Sequence, residues 1–453
     1  MLKSAATQQV ATLVSRLRND LIEKKLSEQE RQRLLEQLKV LGRNPNNSEA
    51  IYAREGIETL SRYGFDAEPL SVSREALRCL ANAFLLQEQT RKLFVELGYI
   101  EKAADRLKND DRDDEFLVSR ILFLMTYSTT LDFDKLIKEH CLADSINRNV
   151  ARHAKWYSES ARRLSSPHPM EEMSLIETLK LLFNITYYHA NLVPDFSDSI
   201  LHLLEILSRI QLPSPPLQPP VNYLINALMN LELPKESSGL SSNPVFPTSK
   251  EETNIERLVY VLDRAIQSYP EREIDQAAAP VITLLRKIHK IAPPKMQQHM
   301  CWLLLPTDES RNNPLGKDET LPSRLLRLSV SPMLPTLRDN ISAMLFELSD
   351  KDASKFVNNI GYGYASGFLM NHNIEVPQNA METSSTEGAS APDINPVTGQ
   401  RRNKEKVDTG PPCRMKRRKG RRRDCSYCSK GVVDVQNPVR QAVEEGRFEE
   451  LDD

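Results

Sequence analysis

Arg74–Leu86 reads REALRCLANAFLL, and Leu77, Leu80, Ala81, Phe84 and Leu85 fall at i, i+3, i+4, i+7 and i+8. That spacing places the apolar side chains on one face of an α-helix. The pattern recurs in Ser174–Thr186 (SLIETLKLLFNIT) at Leu175, Leu179, Leu182, Phe183 and Thr186. It recurs again in Asn254–Ile266 at Ile255, Leu258, Val259, Leu262 and Ile266, and in Asn340–Asp350 at Ile341, Met344, Leu345 and Leu348. Similar stripes occupy Phe116–Thr126, Pro219–Leu231 and Ala279–Ile291. No stretch alternates apolar and polar residues long enough for a sheet, and 15 Gly is few for a turn-rich β protein. The better-defined helices return roughly every 40 to 60 residues, the spacing of helical hairpins with insertions. Stacked hairpins bury one another's apolar faces and leave an extended concave surface. The expected fold is all-α, an armadillo/HEAT-like α-solenoid; a bundle of unrelated helices is the alternative.

Composition breaks set the boundaries. Leu212–Pro220 (LPSPPLQPP) is too stiff for helix interior, and a loop insertion is expected at about 232–254, where Ser, Pro and Gly gather. The stripes stop near Met370, so residues 1–375 form the expected helical-repeat domain. Residues 376–412 read as a disordered linker, 413–430 as a basic Cys-containing segment and 431–453 as an acidic tail.

The chemistry of the chain points to binding. Lys+Arg is 60 and Asp+Glu 62, so the net charge of -2 selects no partner class. The apolar runs are too short to span a bilayer. The N-terminus lacks a secretory apolar core, so the six cysteines are expected as reduced cytosolic thiols, with Cys79 and Cys301 acting as small core hydrophobes. There is no Gly-rich phosphate loop, GxSxG or HExxH motif. The eight histidines are scattered, and His189 reads as a surface or capping residue. No catalytic residue, metal or cofactor is expected, and any nucleotide must sit on a partner. Asn82, Asn184 and Asn226 each lie among apolar residues. An Asn amide can line a groove and bond a partner's backbone, or it can bond the neighbouring repeat.

The stretch LKLLFNIT (Leu179–Thr186) resembles the synembryn family of cytosolic exchange factors and chaperones of G-protein α subunits. Glu75–Leu85, Ser119–Thr126, Val221–Leu231, Leu325–Leu369 (which contains IGYG) and INPVTGQ (Ile394–Gln400) agree with it in order. Asn109–Ile137 looks like the fungal branch. The resemblance covers roughly residues 50 to 400 and the end of the chain. It implies a superhelix that binds GDP-bound Gα, releases GDP, holds the empty state until GTP binds and assists Gα folding. It also implies a groove that takes the C-terminal helix of Gα. By resemblance, the groove role falls to Arg62, Asn82, Arg120, Phe123, Asn184, Asn226, Arg324 and Arg327. A solvated helix face is the alternative for each Arg. A monomer, a cytoplasmic location and peripheral contact with the plasma membrane through Gα follow from the family. The other reading is a helical-repeat adaptor or scaffold without exchange activity.

Arg414–Lys430 (RMKRRKGRRRDCSYCSK) looks like a nuclear-localisation or nucleic-acid patch. Cys425, Cys428 and Cys413 lack a fourth zinc ligand, and no nucleic acid is expected as a partner. The family carries an acidic amphipathic helix here. A choice of codons for Met415–Lys430, read two bases later, yields such a helix, so a frame-shifted segment is the expectation that the transcript would test. Ser384, followed by Ser385, Thr386 and Glu387, fits a minimal acid-directed kinase site.

Overall fold

The computed structural model describes residues 5–67, 69–127, 129–163, 169–234, 243–246, 253–375, 395 and 397–401. Among them the stripes become twenty α-helices and no sheet strand. The first ten are α1 (Ala5–Glu23), α2 (Glu28–Leu41), α3 (Glu49–Tyr52), α4 (Arg54–Asp66), α5 (Leu70–Leu86), α6 (Gln89–Glu96), α7 (Ile100–Arg106), α8 (Arg112–Met125), α9 (Phe133–His140) and α10 (Leu142–Arg163). Then come α11 (Pro169–Tyr188), α12 (Ser199–Arg209), α13 (Val221–Asn230), α14 (Thr253–Ser268) and α15 (Glu271–Ile291). The last are α16 (Pro294–Leu304), α17 (Leu321–Leu328), α18 (Pro335–Leu348), α19 (Ala353–Ile360) and α20 (Tyr362–Asn371). Several starts are fixed by side chains. Ser27 and Glu30 cap α2 reciprocally, and Asp111, Asp132 and Asp352 accept first-turn amides of α8, α9 and α19. These amides have no carbonyl partner within their own helix.

The helices stack as a solenoid of two rows. In one row α2 packs on α5, α5 on α8, α8 on α11, α11 on α13, α13 on α15, α15 on α18 and α18 on α20. The other row covers it: α4 lies against α5, α7 against α8, α10 against α11, α12 against α13 and α14 against α15. Each helix hides its apolar face on its neighbours, which is how repeats gain stability. α8 is enclosed by α5, α7 and α11, so every residue from Asp114 to Met125 is buried.

Ion pairs fix how neighbouring helices register. Asp20 of α1 accepts from Arg31 Nε and Tyr63 Oη, both at 2.6 Å, joining α1, α2 and α4. Asp114 of α8 accepts from Arg74 of α5 (3.0 Å) and Arg106 of α7 (2.8 Å). Arg286 of α15 holds both Glu347 oxygens of α18, at 2.9 and 2.8 Å. A carboxylate is tolerated at a closed joint when it is paired and hydrogen-bonded.

In the loop insertion, Val245 and Phe246 are buried, and Asn254 Nδ2 donates to the Val245 carbonyl (3.1 Å). Inside the stretch read as linker, Asn395 and Val397–Arg401 form a turn bonded to the end of the helical domain. Ser384, the basic Cys-containing segment and the acidic tail lie outside the described residues.

Candidate partner-binding face

Successive helices of the inner stack run parallel, with their C-terminal turns side by side along one edge. The bonds between them show it. Asn184 of α11 donates Nδ2 to Thr126 Oγ1 (2.7 Å) at the end of α8. Asn230 of α13 donates to the Phe183 carbonyl of α11 (3.1 Å). Lys287 of α15 donates to the Met229 carbonyl (3.1 Å) and to the Leu231 carbonyl at the end of α13. The last carbonyls of a helix lack an internal donor, and a donor there also meets the negative end of the helix dipole.

Aromatic rings fill that edge. Phe123 packs edge-on to Tyr127 (5.4 Å between centroids), Tyr127 to Tyr188 (6.3 Å) and Tyr188 to Tyr187 (5.2 Å). Tyr187 stacks on Phe183 at 5.7 Å. Phe123 and Tyr127 are buried, whereas Tyr187 and Tyr188 are 49% and 50% exposed. Burial pushes the Tyr127 phenol up to about 12, so it is a neutral group at physiological pH. Lys180 crosses the cluster: its Nζ bonds Glu177 (3.0 Å) and lies 5.8 Å from the Phe123 ring and 5.4 Å from the Tyr223 ring. Arg120 reaches the same buried Glu177 at 3.5 Å.

The expected groove residues divide into two groups. Asn82 on α5, Arg120 and Phe123 on α8, Asn184 on α11 and Asn226 on α13 lie on consecutive helices of the inner stack. Arg120, Phe123 and Asn184 meet around Lys180 and Thr126, and the Asn184 amide is committed to the neighbouring helix. Asn82 and Asn226 are half-buried and have no hydrogen-bond partner among the described residues. Arg62 stands exposed on α4, in the covering row. Arg324 of α17 pairs with Asp263 of α14, and Arg327 donates to the Gly316 and Asp318 carbonyls (both 2.8 Å), so both brace the loop before α17. Lys180, Tyr187, Tyr188 and Tyr223 are further members of this edge, outside the groove residues that the family resemblance implies. The Tyr pair after LFNIT was the available signal, because two adjacent aromatic residues at a helix end cannot both turn inward.

At the opposite, N-terminal end of α8 and α11 lies a second cluster that no spacing announces. His153 of α10 bonds Glu171 of α11 (2.8 Å) through Nδ1 and Glu115 of α8 (3.0 Å) through Nε2, and none of the three side chains is exposed. Both ring nitrogens face carboxylates, so both donate and the ring is an imidazolium. Burial opposes its charge, but Glu115 and Glu171 prevail and raise the pKa to about 9. Burial also pushes the Glu115 carboxyl up, and His153 and Arg152 overcome it and hold it below its ordinary value. His189 instead packs its ring against Phe133 at 5.1 Å. Cys79 is buried with its thiol on the Leu35 carbonyl, and Cys301 is half-buried. Among the described residues no cluster of His, Cys, Asp and Glu could hold a metal, and no helix is long and apolar enough to cross a membrane. The face offers rings, amides and a paired lysine, which suit it to holding a partner.

A family model described as guanine nucleotide exchange factor synembryn matches residues 34–417. The chain belongs to this family. The match takes in every synembryn-family helix from α3 to α20, and with them the whole edge just described. Relatives named Chaperone Ric-8A agree. That of Xenopus tropicalis is 27% identical over 412 residues, covering 81% of this synembryn-family chain and 74% of the relative. That of Gallus gallus is 26% identical over 411 residues with the same shares. The crystal structure of an engineered protein aligns at 13% identity with a TM-score of 0.33, covering 83% of this chain and 95% of that one, and supports no further reading.

Proposed function

We propose that the chain is an exchange factor and folding chaperone for heterotrimeric G-protein α subunits. It binds GDP-bound Gα, releases GDP and holds the empty state until GTP binds. The match to the synembryn family over residues 34–417 carries this reading. The relatives' chaperone name and the edge formed by α5, α8, α11 and α13 support it. On that edge the half-exposed Tyr187 and Tyr188 offer apolar area, and Asn82 and Asn226 offer amides to the C-terminal helix of Gα. One copy of the chain acts per α subunit, in the cytoplasm and at the membrane face where Gα resides.

No covalent bond changes in this reaction. A protein that binds empty Gα more tightly than GDP-loaded Gα weakens GDP by the same factor. Turning a mostly loaded population into a mostly empty one takes about 5.5 kcal/mol of differential binding. An extended row of helices can gather that from many modest contacts. The test is uptake of a GTP analogue by purified Gα with and without the chain, and with Gα lacking its C-terminal residues. Faster uptake that depends on those residues is expected. No acceleration, or acceleration indifferent to the truncation, would favour an adaptor.

A further inference from the structure

Asn395 and Val397–Arg401 meet the helical domain through a set of backbone and guanidinium hydrogen bonds. From this we propose that they form a releasable strap, a preformed turn that closes on the end of the solenoid and opens as one unit while the helices stay folded.

The turn is built internally first. Gly399 N donates to the Asn395 carbonyl (2.8 Å), Asn395 N donates to the Gln400 carbonyl (2.7 Å), and Asn395 Oδ1 accepts from Val397 N at 2.9 Å. It then docks by its backbone. Gly363 N donates to the Val397 carbonyl (3.2 Å), Leu315 N to the Thr398 carbonyl (3.1 Å), and Arg401 N to the Arg311 carbonyl (2.9 Å). Arg311 is the pin. Its side chain is buried, Nη1 donates to the Gly399 carbonyl (3.1 Å), and Nη2 donates to the Asn358 and Asn359 carbonyls at 3.0 and 3.1 Å. One guanidinium thus joins the strap to the C-terminal end of α19. The fit is close: Gly399 has φ +67, and a Cβ there would lie 2.4 Å from Leu315 Cδ1. Such a position needs glycine on both counts.

Among its described residues the strap brings little apolar burial to this interface. Val397 is 43% exposed, and the buried members are Gly399 and Gln400. Net hydrogen-bond gains are small and are opposed by the cost of ordering the turn. The helices beneath have their own apolar anchors in Phe356, Val357, Ile360, Ala365 and Leu369. Opening of the strap therefore separates from unfolding of α19 and α20. Opening would uncover the Leu315 and Gly363 amides and the Arg311 guanidinium at the end of the solenoid.

Hydrogen exchange on the full chain, read by mass spectrometry, tests this with Arg311→Met and Gly399→Ala. The first removes the pin; the second leaves Arg311 in place and spoils the fit. In both variants the amides of Leu315, Gly363 and Arg401 should exchange at least tenfold faster together, with α18, α19 and the amides of α20 beyond its first turn as protected as in the wild type. Equal loss of protection in α19 and α20 would mean that the turn is an integral part of the fold. Unchanged exchange at the three amides in either variant would also overturn the proposal.

Discussion

His153→Gln removes the imidazolium between Glu115 and Glu171 while leaving a side chain that can still donate a hydrogen bond. The three groups are fully buried at the junction of α8, α10 and α11. Raising an imidazole from 6.5 to about 9 on folding corresponds to roughly 3 kcal/mol of stability. The folded pKa is the higher one, so this contribution is complete below about pH 6.5 and vanishes as the pH climbs through about 9. At pH ~7.5 about 2 kcal/mol remains. Urea unfolding of both proteins, followed by helical ellipticity at about pH 6, 7.5 and 9.5, measures the difference. The gap between wild type and variant should be largest at the acidic end. By the alkaline end it should shrink to the loss of packing alone. A gap that stays constant across the three conditions would show that the ring is neutral and the reasoning wrong.

Three further outcomes are expected. Asn184→Ala breaks the bond to Thr126 and should cost about 1 kcal/mol of stability, whereas Asn226→Ala should leave stability within ~0.5 kcal/mol but slow GDP release from Gα. Equal stability losses would show that Asn226 is also structural. Replacing Tyr187 and Tyr188 together by Ala removes two half-exposed rings. Gα binding should weaken by at least about tenfold, or ~1.4 kcal/mol, with the helical signal intact, and calorimetric titration reads it. A version of the chain in which Met415–Lys430 is replaced by the acidic-frame sequence should bind Gα more tightly than the chain as it stands; identical affinities in a titration would refute a role for that segment in binding.

The local pattern of apolar residues was enough to place the helices, and it erred where a helix has more than one partner. Leu175, Leu179 and Leu182 of α11 were readable as one stripe, but Leu181 and Ile185 are equally buried, because α8, α10 and α13 all press on that helix. The stripe read at Ala279–Ile291 is the second half of α15, which starts at Glu271 and continues through Pro280. A proline inside a helix forfeits a backbone bond; here Ile274, Ala278, Val281 and Ile282 are buried in the stack and compensate. Of the three Asn residues set among apolar positions, Asn184 bonds the neighbouring repeat. Its side chain sits beside the cap of α8 only because the two helices run parallel.

Periodicity and ordered motifs by themselves determined that this is a stack of helices of the synembryn kind, since helical burial and family signatures are both written in short stretches of chain. Long-range geometry decided the rest. Glu115, His153 and Glu171 become one charged cluster, and the IGYG and INPVTGQ motifs come together through Gly363 and Val397. The reason is that such contacts join residues far apart along the chain, and their energies exist only once packing has excluded water and fixed the distances.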